Sequence, residues 1–234
     1  MEPVPTDWRT EESQELLWIA LREALDVLSK IQGQGVLEFW HEKVLTGLTQ
    51  TAYFCYRNLI AAWKEEGLSP AAWSARSLLE AEIWMRYVTA SKGNARRFYM
   101  DWVNDASELM NKMASNEEWA ASSPYRDLDF KGTDVNAARG WISSLRASPE
   151  LVDDDYLKVA AVAKELGRGV HFSKFNKLLS KLAHPTAFSV LSVPSERART
   201  NMSVLILDEG ANACMRCVSA LNDFLKAQNF PRVF

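Results

Sequence analysis

"WSARSLLEAEIWMRYV", Trp73 to Val88, has almost no polar side. Leu78, Leu79, Ile83, Trp84, Met85 and Val88 surround any helix drawn through it. A half-buried strand would alternate, and a surface helix would show one apolar stripe. A helix apolar nearly all round belongs inside a bundle, where other helices cover it. Arg76 and Glu80 are the exception, four residues apart and therefore on one face. A charged pair on such a helix is expected to be partly buried, so each member needs a partner.

The flanking chain supplies the covering helices. A stripe of Leu17, Leu21, Ala24, Leu28 and Ile31 predicts a helix over Glu11 to Ile31, ended by Gly33 to Gly35. A second runs from Phe39 to Glu66 and stops at Gly67; its middle, "TAYFCYRNLIAAW", should be largely buried. Ser69 as cap and Pro70 at the first position start the third, which reaches Ser91. Further helices are expected over Asn94 to Ala114 and Asp134 to Arg146, and from near Tyr156 to "GRG" at Gly167. A short one follows, capped by Ser173, and the last spans Glu196 to Gln228 with Gly210 as a kink point. Residues 1–10 read as a flexible N-terminus and 116–133 as an irregular excursion. "FSVLSVPS", from Phe188, is the one strand-like segment and has no partner strand. The chain is therefore expected to be all-α, a single-domain bundle of seven or eight helices over residues 1–234.

Composition narrows the class of function. Hydrophobic residues make up 47% and charged residues 24% of the 234 positions, a globular balance. Net charge is −3, from 27 basic and 30 acidic residues, so no global field recruits nucleic acid or anionic membrane. The uncharged stretch from Val44 to Tyr56 is too short to span a bilayer. "MEPVPTDWRTEES" lacks the pattern of a signal peptide, and three cysteines are an odd number for a disulfide framework. These features predict a cytoplasmic protein.

Spacing excludes several chemistries. His41-Glu42 lacks the second His of a helical zinc motif, and Cys214 and Cys217 stand as a lone C-x-x-C within a helical pattern. Both are expected to be reduced, with at least one buried as a small hydrophobe. Asp153 to Asp155 should favour a helix start and stay solvated. Gly167-Arg168-Gly169 lacks the strand and third glycine of a phosphate loop. No metal or cofactor is expected. "KGNARRFYMDW" mixes bases with aromatics, and Arg96, Arg97 and Tyr99 could grip single-stranded nucleic acid. The competing reading packs the aromatics inward and lets the arginines snorkel.

"LLSKLAHPT", Leu178 to Thr186, places Ser180 and His184 four residues apart before Pro185. Packed against Trp73 to Val88, it would join Arg76, Glu80, Ser180 and His184 in one internal polar site. Such a set permits general acid–base chemistry with His184 as proton carrier. It equally makes a hydrogen-bonded clasp that fixes helix packing, the favoured reading. Nothing in the sequence supplies an oxyanion hole for Ser180 as a nucleophile.

At these positions the chain resembles a bacterial family of all-helical proteins of unknown function, with an Arg-x-x-x-Glu helix and a later Ser-x-x-x-His turn. The resemblance covers roughly Leu48 to Leu225 and rests on those two short motifs. It implies an all-α fold, with Arg76, Glu80, Ser180 and His184 at the matching positions, and brings no established activity. A weaker likeness is to the HEPN group, helical proteins that include RNA-cleaving toxins. Their arginine stands further ahead of the histidine than Arg168 does of His171, and His184 has no arginine at that distance. The leading expectation is a helical module that binds a protein partner or small ligand, in a bacterial stress or defence system suggested by the resemblance. The alternative is a HEPN-like ribonuclease with His184 as acid–base and Arg76, Arg96 or Arg97 holding phosphate.

Overall fold

The computed structural model describes residues 7–115, 140, 143, 144, 156–184 and 195–230. Among these, seven helices and no strand are present. They are α1 (Glu11–Ile31), α2 (Phe39–Lys64), α3 (Leu68–Ala90), α4 (Lys92–Ser115), α5 (Val159–Glu165), α6 (Gly169–Ala183) and α7 (Glu196–Ala227). The excursion at 116–133, the triplet from Asp153 and the segment from Phe188 lie outside the described residues. So does all but a few positions of the helix expected over Asp134 to Arg146.

The stretch from Trp73 to Val88 is the centre of the bundle. α3 packs against α2, α4, α5, α6 and α7, and Leu78, Leu79, Ile83, Met85 and Val88 are all sealed from solvent. Tyr56, Leu59 and Leu221 close on it from α2 and α7. Each large apolar side chain buried in this way contributes about 1.5–3 kcal/mol before entropy is set against it.

Several helix ends differ from their sequence-based placement. α2 stops at Lys64, and Glu66 rather than Gly67 takes the left-handed turn, at φ 56°. Gly67 N–H then reaches back to the Ala62 carbonyl at 2.7 Å. α3 consequently starts at Leu68, so Ser69 is inside its first turn and caps nothing; its hydroxyl donates to the Ala183 carbonyl at 3.1 Å. Pro70 is still tolerated, because first-turn N–H groups have no helical acceptor. A single residue, Ser91, separates α3 from α4, and its Oγ accepts the Asn94 N–H. Ser173 also lies inside its helix: Gly167, at φ 70°, ends α5, and α6 begins at Gly169.

Residues 7–10 are not a loose tail. Trp8 is 2% exposed, its indole donates to Asn212 Oδ1 on α7, and Thr10 caps α1. An indole buries more apolar area than a short tail loses in entropy. α7 runs through Gly210 as one helix, and the glycine serves a close approach: a Cβ there would stand 2.5 Å from Leu59 Cδ2. All three cysteines are free and buried. Burial pushes the Cys217 thiol up to about 12 and Cys214 well above its ordinary value, so neither is a thiolate near neutral pH.

His41 makes the core sensitive to acid. It is 4% exposed, stacked on Trp40 and tilted against Phe224. Burial lowers its pKa from 6.5, partly offset by a hydrogen bond to the Val88 backbone, and Lys92 lowers it further. Below about pH 6.5 the unfolded chain therefore takes up a proton that the native ring refuses, and stability falls as pH drops. The slope contributed by this one group reaches at most about 1.4 kcal/mol per pH unit. Urea titrations from pH 7.5 to 5.5 should show that decline in the wild type, and a shallower one in His41→Phe. Equal slopes would remove His41 as the cause.

Candidate functional site

Arg76 is a hub between α3 and α6. Its Nη2 lies 3.1 Å from Glu80 Oε1, its Nε donates to Asn176 Oδ1 at 2.9 Å, and its Nη1 lies 3.4 Å from His184 Nε2. For that last contact to be a hydrogen bond, His184 must carry its proton on Nδ1 and accept at Nε2. Asn176, one turn before Ser180, thus meets the guanidinium, and no Ser180–Arg76 bond is formed. His184 faces Arg76 and not Glu80. The pair is also wetter than its apolar helix implies: the Arg76 and Glu80 side chains are 30% and 31% exposed. His184 is exposed, as the cap residue of α6.

The most deeply buried carboxylate among the described residues lies two residues further on. Glu82 is 0% exposed and meets Arg86 Nε at 3.1 Å, Arg168 Nη2 at 3.4 Å and Arg216 Nε at 2.7 Å. Arg216 continues to Glu209 at 2.9 Å, and His171 Nε2 sits 2.7 Å from the same oxygen. Three guanidiniums and an imidazole thereby enclose two carboxylates, tying α3, the start of α6 and α7 together. Arg168 and His171, the nearest approach to a ribonuclease-type pair, are both committed to these carboxylates.

A cleft of about 820 Å³ opens where α2, α3 and α4 meet residues 156–160. Trp84, Phe98, Tyr99, Trp102 and Tyr156 line it. Trp84 and Phe98 are tilted at a centroid distance of 4.9 Å, and Tyr99 and Trp102 at 5.4 Å. Its acids are Glu80, Asp101 and Asp105. Asp101 Oδ1 accepts the Leu157 N–H at 2.9 Å, which anchors the start of α5 to α4. Burial raises the Asp101 pKa, and Asp105 adds to the rise. Tyr99 is 3% exposed, yet its hydroxyl has no hydrogen-bond partner among the described residues. An unmet hydroxyl costs about 1–3 kcal/mol.

Tyr99 is accordingly a cleft wall and not an exposed stacking platform. Arg96 and Arg97 are half-buried, and the charge of Arg97 acts on Asp101, lowering its pKa. A different basic surface appears on α5 and α6. Lys164, Lys174, Lys177 and Lys181 line a groove of about 930 Å³ that also includes Asn176 and Ser180. No acidic residue lines it among those described. The aromatic cleft and the lysine groove meet at Ala160, with Arg76 reaching Glu80 beside one and Asn176 beside the other.

Periodicity located Arg76 and Glu80 but missed Asn176, Glu82, Glu209 and the cleft aromatics as a group. Tyr156 and Trp102 stand far apart in sequence and meet only through the fold. Among the described residues no cluster of His, Cys, Asp and Glu is placed to hold a metal ion, and no helix is long and apolar enough to cross a membrane. Comparison with family models, curated proteins and solved structures gives no match.

Proposed function

We propose that the chain is a helical ligand-binding module whose site is the aromatic cleft between α2, α3, α4 and the start of α5. The observation that carries this reading is the cleft of about 820 Å³ itself, walled by five aromatic side chains from α3, α4 and the segment before α5. Rings supply apolar contact area, and a few fixed polar groups orient the guest, the usual build of a small-molecule site. Arg76, with its guanidinium spread over Glu80, Asn176 and His184, acts as a clasp that holds α6 against α3. The bacterial stress or defence setting rests on the family resemblance alone. Buried, reduced cysteines are the support for a cytoplasmic location.

The test is a fragment screen read by tryptophan emission, repeated on Trp102→Ala and His184→Ala. Trp102 is exposed, so its removal should leave the fold intact. Hits should weaken at least about tenfold in Trp102→Ala, because stacking on one ring contributes about 1–3 kcal/mol, and should persist in His184→Ala. The opposite pattern would move the site to His184.

A second reading, a nucleic-acid-acting enzyme with His184 as acid–base, is favoured by the lysine groove that Ser180 shares. Phosphate binding there would weaken steeply with salt, in proportion to the lysines engaged. Salt-sensitive RNA binding, with cleavage abolished in His184→Ala, would establish that reading in place of the first.

A further inference from the structure

The geometry points to an organic monocation as the ligand of the aromatic cleft: a protonated or quaternary amine held among the rings, with an apolar body along Val44 and Leu48. This inference rests on the cleft being the binding site and adds the charge of its ligand.

Among the described residues, three carboxylates line the cleft against two ammonium groups, those of Lys43 and Lys158. Lys43 lies back along its own helix, its Nζ 4.8 Å over the Phe39 ring, and Phe39 is not part of the cleft. Lys158 is exposed at the start of α5. Glu80 already has Arg76 as a counter-charge. Arg97 offsets part of the Asp101 charge from the same helix, which leaves the exposed Asp105 as the main source of the field. Asp101 and Asp105 are spaced four residues apart on α4, an arrangement of like charges that weakens a helix. A bound cation relieves that repulsion. The same field reaches Tyr156, whose hydroxyl is held from ionising by Asp105 first and then by burial, Asp101 and Glu108.

The rings answer to the same charge. Aromatic faces carry negative potential and attract a cation within about 6 Å of the ring centre. Trp84–Phe98 and Tyr99–Trp102 are tilted pairs, so their faces are not consumed by parallel stacking on each other. A volume of about 820 Å³ exceeds a bare ammonium and suits an amine with a sizeable apolar body.

Three probes of one shape separate the alternatives: 2-phenylethylamine, 2-phenylethanol and 3-phenylpropionate, each titrated against the full chain by tryptophan emission. The amine should bind about tenfold more tightly than the alcohol, from cation–π attraction and the carboxylates together. The acid should bind weakest. In Asp105→Asn, at an exposed position, the amine should lose most of its advantage over the alcohol. Benzyltrimethylammonium, which cannot donate a hydrogen bond, should keep its affinity if the rings dominate. Equal binding of amine and alcohol, lost in Trp102→Ala, overturns the cationic ligand and leaves the cleft as a neutral site. Failure of all the probes to bind at millimolar concentration overturns both the inference and the cleft reading beneath it.

Discussion

Glu82→Ala should lower the stability of the protein by about 3–5 kcal/mol, the range for removing one partner of a buried ion pair. Three guanidiniums converge on this carboxylate, and without it Arg86 and Arg168 lose their contact to Glu82 while Arg216 keeps the one to Glu209. For a chain of this size that corresponds to a fall in melting temperature of roughly 10 °C. Glu82→Gln should recover part of the packing but little of the stability, because the amide neutralises nothing. Glu80→Ala is the internal control. Its side chain is nearly a third exposed, so the loss should stay under about 1 kcal/mol. Urea denaturation of the three variants checks the ranking; a Glu80→Ala loss equal to that of Glu82→Ala would contradict it.

Gly210→Val should be nearly as damaging, for a steric reason. A Cβ at this position meets Leu59 Cδ2 at 2.5 Å and the Ala75 Cα at 3.2 Å. Leu59 and Ala75 are themselves fully buried, and the Ala75 contact is backbone, so neither can step aside without moving α2 or α3. Gly210→Ala should already cost about 1–3 kcal/mol through overpacking, more than the roughly 1 kcal/mol that alanine gains over glycine in a helix. Valine adds two methyl groups to the same clash and should cost more. Gly47→Ala, in α2 with open space around its Cβ, should show the opposite sign and stabilise by about 0.5–1 kcal/mol. Thermal melts of these variants read both signs; a stabilised Gly210→Ala would mean that α7 can move away from α2 and α3.

The contrast between Glu80 and Glu82 shows what the sequence could express. α1 carries a clean stripe and was legible to the residue, Glu11 to Ile31. α3 is apolar on nearly every side, so its pattern revealed that it is central without revealing which acid is innermost. That choice is made by Arg168 and Arg216, which reach Glu82 from α6 and α7 and leave no trace in the local spacing. Ser180 was read in place of Asn176 for a similar reason. Both lie on a face spaced by four, and only the offset of α6 along α3 decides which one reaches Arg76. The aromatic cleft was less legible still. Phe98, Tyr99 and Trp102 were visible as a cluster, but their opening is completed by Trp84 from α3 and Tyr156 from the segment before α5. The tertiary fold, not periodicity, brings these together.

The account turns on where a ligand binds, and the indole N–H resonances report that directly. Trp84 and Trp102 line the cleft, whereas Trp8, Trp40, Trp63 and Trp73 do not. Adding 2-phenylethylamine to the uniformly 15N-labelled protein should shift the indole signals of Trp84 and Trp102 and leave those of Trp8, Trp40 and Trp73 in place. Saturable shifts confined to residues around His184 and the α6 lysines, with the two cleft indoles unmoved, would contradict the account.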